Sequence, residues 1–280
     1  MKPNQYRVLG GIRVTQRSFS KHPESRSIVQ NIMSHVKILP TSLELMRHRR
    51  TFLQSPLLRN FVNQILQTIC RRTTLGAKRN KLQFSIVDSP QKWHQIRQLR
   101  LATYGKKLPY MLDVINPDGS DEFDARSVVF GIWYEDRAVA TLRVTAGPLE
   151  ISRYLPESTQ LQALPPEKAE QTLEISRLIT DSSAPYTRLL PALIAYAGLS
   201  VCLFTDHEHY IGYSKMNVFK KFDKFMCSAD LPSFQIPARG EHYYEVVQGN
   251  FRTDFAHLIQ KKIRPPALAK MISAMLRGIA

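Results

Sequence analysis

The chain has 280 residues, 43% of them hydrophobic, which is enough for one large domain or a domain with a long extension. Its apolar runs fall short of the roughly 20 residues that a membrane-spanning helix needs, and the polar, basic stretch from Met1 to Ser20 lacks the apolar centre of a secretory signal, so neither a span nor export is expected. Three widely spaced cysteines, Cys70, Cys202 and Cys227, suit neither a disulfide framework nor a structural zinc site, and point to reduced thiols in a cytoplasmic setting.

The net charge of +16 is unevenly placed. Residues 1–81 hold sixteen Lys and Arg against two acids, Glu24 and Glu44, so +14 lies in the first third and the remainder is nearly balanced. Such a segment seeks an anionic partner: nucleic acid, an anionic phospholipid surface or an acidic protein. Nucleic acid is the weakest of these, because the chain shows no zinc-finger spacing and few aromatics among its basic clusters. The closest histidines, His207 and His209, have no companion ligands in sequence, and no metal site is expected.

Residues 1–40 read as a basic arm with few apolar positions. Leu57, Leu58, Phe61, Val62, Ile65, Leu66 and Ile69 then follow the spacing of an amphipathic helix, with Pro56 in its first turn. Such a helix ordinarily packs on its own domain; bracketed by arginines, it also suits an anionic membrane face. Residues 76–81 form a linker, which places a domain boundary at 81/82.

From Leu82 the pattern alternates. Residues 82–86 read as a strand, and Ser89-Pro90 opens a helix through Leu101. Residues 104–120 read as a loop or short helix. A hairpin follows, 128–134 and 138–145, about the turn Glu135-Asp136-Arg137. Residues 147–170, with four prolines, read as an irregular connection. Next come a strand (173–180), a helix (188–199), a strand (201–205), a helix (210–222) and a strand (243–248). Residues 251–280 form a C-terminal helical extension broken at Pro265-Pro266. The order predicts an α/β (α+β) fold for residues 82–250, a mixed sheet with helices on both faces.

Several charged residues fall where a core pattern prefers none. Arg97 and Arg100 share the helix that leads to Tyr104. Asp121 and Asp124 flank Phe123 just before the hairpin. Arg143 lies inside its second strand, and Glu174 and Arg177 lie inside the next one. Each alone suits a solvated loop or the open face of a sheet. Their joint order resembles the acyl-homoserine-lactone synthases and the related N-acyl amino acid synthases, including those of exosortase loci, within the GNAT superfamily of N-acyltransferases. The resemblance spans about residues 82–225. Tyr104, where the lactone makers usually show Phe, and the long basic arm favour the N-acyl amino acid branch.

The resemblance implies a GNAT-like, mostly antiparallel sheet and a bacterial N-acyltransferase that moves a medium- or long-chain acyl group to the amine of an amino acid or similar small amine. Lactone synthesis from S-adenosylmethionine is the rival reaction. Direct attack by a neutral amine needs a base and an oxyanion site, and no enzyme nucleophile. Glu174 is the candidate base. Arg143 and Arg177 are expected to form a charge network with Asp121 and Asp124, which would order the loop or hold an acceptor carboxylate. Arg97, Arg100 and Tyr104 complete the substrate-binding set. Tyr210 and Tyr213 open the predicted helix where many relatives place the acid for the leaving thiol, and Tyr213 is taken as that candidate.

Residues 175–197 contain no glycine, whereas acetyl-coenzyme A users of the superfamily carry a glycine-rich pyrophosphate turn there. The expected donor is therefore an acyl-phosphopantetheine on acyl carrier protein, with no bound cofactor. The basic surface would steer that acidic partner or make peripheral contact with the inner membrane face.

Overall fold

A computed structural model describes residues 64, 66–68, 70–71, 81–184, 189–215 and 230–262. Seven strands form one sheet in the order β1-β2-β3-β4-β5-β7-β6. They are β1 (Gln83–Ile86), β2 (Ser127–Tyr134), β3 (Arg137–Thr145), β4 (Thr172–Thr180), β5 (His209–Lys215), β6 (Phe234–Gln235) and β7 (Tyr243–Asn250). Every neighbouring pair is antiparallel except β4–β5, which is parallel.

Helix α1 (Pro90–Lys107) starts where the sequence predicts, with the Ser89 hydroxyl accepting from Lys92 N at 3.3 Å. It runs past the predicted end and is followed by a 3-10 turn at Pro109–Met111. The hairpin matches expectation: Glu135 and Asp136 take φ of 48° and 60°, the pair of positive angles a two-residue type I′ turn requires. Alternation along β2 separates two faces. Val128, Phe130 and Ile132 join a core with helix α4 (Leu189–Phe204), while Val129 and Trp133 join α1 residues Ile96, Leu99 and Tyr104. The result is the expected mixed, mostly antiparallel sheet with helices on both faces.

Leu66 and Cys70, from before the 81/82 boundary, are buried in the α4-side core, and Arg71 Nε donates to Leu82 O at 2.9 Å. Most of the basic arm, and the Pro265-Pro266 break, lie outside the described residues.

Three predicted elements are corrected. Residues 201–204 continue α4 instead of forming a strand, with the Ser200 and Thr205 hydroxyls donating to the carbonyls of Tyr196 and Val201. A helix buried all round shows no polar face, so its continuous apolar run reads equally well as a buried strand. Residues 209–215 form β5, not the start of a helix: Tyr210 faces the α4-side core while Ile211 and Tyr213 face the other way, a period of two. The rest of that predicted helix, 216–222, lies outside the described residues. Within the connection 147–170 the chain folds helices α2 (Glu157–Ala163) and α3 (Pro166–Ala169), each begun just after a proline. After β7, Asn250 Oδ1 accepts from the backbone N–H of Arg252 and Thr253 and so caps helix α5 (Phe251–Lys262).

Candidate active site

The parallel pair β4–β5 is joined only at Thr172–His209, Leu173–Tyr210 and Glu174–Ile211. Beyond that point β4 stays paired with β3 as far as Thr180, and β5 stays paired with β7 as far as Lys215. A split therefore opens in the middle of the sheet, with Glu174 at its vertex. Gly212 lies just past the vertex, where a Cβ would come within 2.7 Å of Ile175 O, so the close approach of the two strands requires glycine.

The register of β4 slips opposite Thr141–Arg143, and Arg177 takes a φ of 52° there. This is a bulge built on a non-glycine residue in left-handed conformation, a feature that costs on the order of 1–3 kcal/mol and persists only where surrounding contacts hold it. Those contacts are ionic. Arg177 Nε donates to Asp121 Oδ2 at 2.8 Å, and its Nη2 donates to the same oxygen and, at 3.1 Å, to Glu150 Oε1. Arg143, fully buried on β3, donates from Nε to Ser176 Oγ at 3.0 Å, from Nη1 to Asp121 Oδ1 at 2.5 Å and from Nη2 to Glu150. Two carboxylates and two guanidinium groups thus close a buried ring across β3 and β4. Burial alone would raise the Asp121 carboxyl, yet Arg177 and Arg143 hold it down to about 2. Burial likewise opposes ionisation of Glu150, and the same arginines win there too, keeping it below the usual carboxylate range.

Asp124 fills a different place from Asp121. It accepts both Nη groups of the fully buried Arg100, at 2.6 and 2.9 Å, and the backbone N–H of Asp121 at 2.9 Å. The Asp-x-x-Asp turn is thereby tied to α1 through one carboxylate and to the sheet through the other. Gly119, at φ 82° and with Arg97 O 2.6 Å from any Cβ, lets the loop lie against α1. Phe123 between the two aspartates carries Arg126, Arg143 and Arg153 over its ring at 4.6, 5.0 and 4.6 Å.

The expected residues fall into place unequally. Arg143, Arg177, Asp121 and Tyr213 meet in one cluster, and Arg100–Asp124 stands beside it. Tyr104 is buried on α1, where burial raises its hydroxyl and Arg177, Arg100 and Arg143 act against that rise. Arg97 is not brought in: it pairs with Asp118 at 2.8 Å, the two side chains 37% and 55% exposed, against 0% and 9% for Arg100 and Asp124. Tyr210 points to the opposite face and donates to Asp254 at 2.7 Å.

Glu174 is fully buried, with Oε2 accepting from Ile151 N at 3.0 Å and Oε1 without a hydrogen-bond partner. Burial first, and the nearby Glu150 charge second, push its carboxyl up to about 7. Tyr213, on the β5 edge of the split, is raised well above the ordinary phenol range by burial and by Glu150, so it keeps its proton at neutral pH.

Two members escape sequence reasoning. Glu150 follows Pro148 in a connection that reads as irregular, and its only hint is an acid between apolar Leu149 and Ile151. Arg239 sits on a short 3-10 turn (Pro237–Arg239) between β6 and β7 that carries no sequence signal. It donates to Tyr213 Oη at 2.8 Å, Tyr154 Oη at 3.1 Å and Glu150 Oε1 at 3.2 Å. Among the described residues, no group of three side chains is placed to hold a metal ion, and no helix is long and apolar enough to cross a membrane.

No protein-family profile matches the chain, and no curated protein does. Among solved structures it is similar to the AHL synthase LasI, at 17% identity over 61% of this chain and 89% of that one, with a TM-score of 0.45. It is also similar to BjaI, a CoA-dependent acyl-homoserine lactone synthase solved with SAM and isopentyl-CoA, at 16% identity over 64% and 91%, with a TM-score of 0.49. A third is FeeM, an N-acyl amino acid synthase from uncultured soil microbes, at 13% identity over 62% and 94%, with a TM-score of 0.44. What the site does chemically rests on this chain's own residues.

Proposed function

We propose that the chain is an N-acyltransferase that moves an acyl group from the phosphopantetheine thioester of acyl carrier protein to the amine of an amino acid or similar small amine. The observation that carries this reading is Glu174, a buried carboxylate with one uncommitted oxygen, titrating near neutrality at the vertex of the β4–β5 split. A base for an ammonium group needs such an environment: ionised often enough to take the proton and desolvated enough to want it.

In this reading Glu174 takes a proton from the acceptor's ammonium group, and the amine attacks the thioester carbonyl. Backbone N–H groups of β4 beyond Glu174, where no β5 residue pairs with them, face the developing oxyanion. The C–S bond then breaks, the departing thiolate takes the proton of Tyr213, and the amide nitrogen gives up its second proton to the Tyr213 oxygen, which restores the phenol. Asp121, Glu150, Arg143 and Arg177 hold the bulge and the two edges of the split in register.

The donor assignment draws on the β4–α4 connection. Asp181 Oδ1 accepts from the backbone N–H and hydroxyl of Ser183, so that amide of the connection is already capped by the chain's own carboxylate instead of being open to a pyrophosphate. The test is mass spectrometry of lipid extracts from a bacterium expressing the chain. An N-acyl amino acid is expected; an acyl-homoserine lactone would replace this reading with the rival one, and no acylated amine of any kind would overturn both.

A further inference from the structure

The buried cluster holds one more cation than its own carboxylates neutralise. Asp121 and Glu150 are each shared between Arg143, whose three nitrogens all donate to protein acceptors, and Arg177, which donates to both carboxylates from Nε and Nη2. Arg239 joins as a third guanidinium and reaches only one oxygen of Glu150, already used by Arg177. Glu174 makes no contact with Arg239, its one hydrogen bond being to Ile151 N, and it evens the count only when it is ionised. Arg239 is 3% exposed, yet its Nε–H has no partner. The guanidinium lies over the rings of Tyr154 and Tyr213, at 4.8 and 5.4 Å, which cover it with aromatic surface and supply no countercharge.

A desolvated cation with an idle donor is costly unless an anion completes it. The location says which anion. Tyr213 and Glu150 place Arg239 on the β5 side of the split, and its turn lies against the Pro109–Met111 turn, where the rings of Tyr110 and His242 are 5.8 Å apart. A small acceptor whose amine approaches Glu174 would carry its own charged group toward this side.

We infer that Arg239 is the specificity residue for the acceptor, its Nε–H binding the carboxylate of an α-amino acid and so choosing amino acids over neutral amines. Arg143 and Arg177 are left to their structural ring, and the acceptor's single negative charge matches the single surplus cation. The inference rests on the N-acyl transfer reading above and names the group by which that reaction's acceptor is recognised.

The test uses the purified full-length chain, thiol release from octanoyl-carrier protein and from octanoyl-coenzyme A, and each proteinogenic amino acid alongside its carboxamide. Wild type should favour the carboxylate form by roughly 10- to 100-fold in kcat/KM, mostly through KM, as a charge-assisted hydrogen bond would. Arg239→Gln should bring that ratio near one. A wild-type ratio near one overturns the assignment without any variant. A folded Arg239→Gln enzyme that keeps the wild-type ratio overturns it as well. If the Gln variant fails to fold, Arg239→Lys, which keeps the charge but loses the fork, is read in its place: a lowered ratio supports the assignment and an unchanged one overturns it. Thiol release stimulated by no amine in the panel would sink the acyl-transfer reading itself, a result distinct from any change in ratio.

Discussion

Arg177 and Asp121 are 56 residues apart in sequence, and the guanidinium of the first donates from both Nε and Nη2 to a single oxygen of the second. That contact pins a left-handed residue into β4 and fastens the loop before the hairpin to the middle of the sheet. Removing any one member of the ring leaves buried charge uncompensated.

Arg143→Ala should therefore destabilise the fold by about 3–5 kcal/mol, since Asp121 and Glu150 each lose a buried partner. Arg97→Ala, which breaks a partly exposed pair, should stay within about 0.5 kcal/mol of wild type. Urea denaturation of both variants checks the contrast; equal losses would show that the ring is not a unit.

Asp121 and Glu174 should respond to pH with opposite signs. The Asp121 carboxyl is depressed, so its contribution is present above its unfolded value near 3.8, on the order of 2 kcal/mol, and is lost as pH falls through about 2. Asp121→Asn should accordingly be less stable than wild type at pH 7, with the gap narrowing toward pH 2. Glu174 is raised, so the folded state holds its proton more tightly than the unfolded chain, and wild-type stability falls as pH rises from about 4.5 through about 7. Glu174→Gln cannot ionise, and its stability relative to wild type should improve over that window by up to about 3 kcal/mol. Thermal melts across the pH range read both; a parallel pH response of Glu174→Gln and wild type would remove the case for a buried, titrating Glu174.

The same carboxyl should govern turnover. With Glu174 as base, kcat/KM should rise with pH through about 7 and level off above it, and Glu174→Gln should lower turnover roughly 10²-fold or more. A folded variant that retains most of its activity would rule Glu174 out as the base.

If the donor is the carrier-bound thioester, acylated carrier protein should serve at much lower concentration than the same acyl group on coenzyme A; in the described part of the β4–α4 connection the Ser183 amide is already taken by Asp181. Equal specificity constants would defeat this argument.

The basic segment divides at the helix that contributes Leu66 and Cys70 to the core. Deleting residues 1–78 should unfold or severely destabilise the chain, since Leu66→Ala alone should cost about 2–5 kcal/mol. Deleting residues 1–40 removes charge and leaves Leu66 and Cys70 in place. It should weaken sedimentation with anionic vesicles or raise KM for carrier protein, and a deletion that changes neither would leave the charge without a partner.

Local chemistry alone determined a good part of this protein. The Ser89 cap, the turn at Glu135-Asp136 and the strand before it all depend on neighbours a few residues away, and all were legible before any fold was known. Charges inside apolar strands mark the site for the same reason: Arg143, Glu174 and Arg177 break a period that extends only a few residues. Tertiary structure decided the rest. Residues 201–204 are helical and 209–215 extended because the β4–α4–β5 crossover must bring β5 back beside β4, a requirement no window of sequence contains. Only the packing of α1 distinguishes Arg100, inside, from Arg97, outside, since the two stand three residues apart on one helix. Glu150 and Arg239, 89 residues apart, become partners only once the register of the sheet has brought their loops together, because the strength of an ion pair depends on distance in space and on burial.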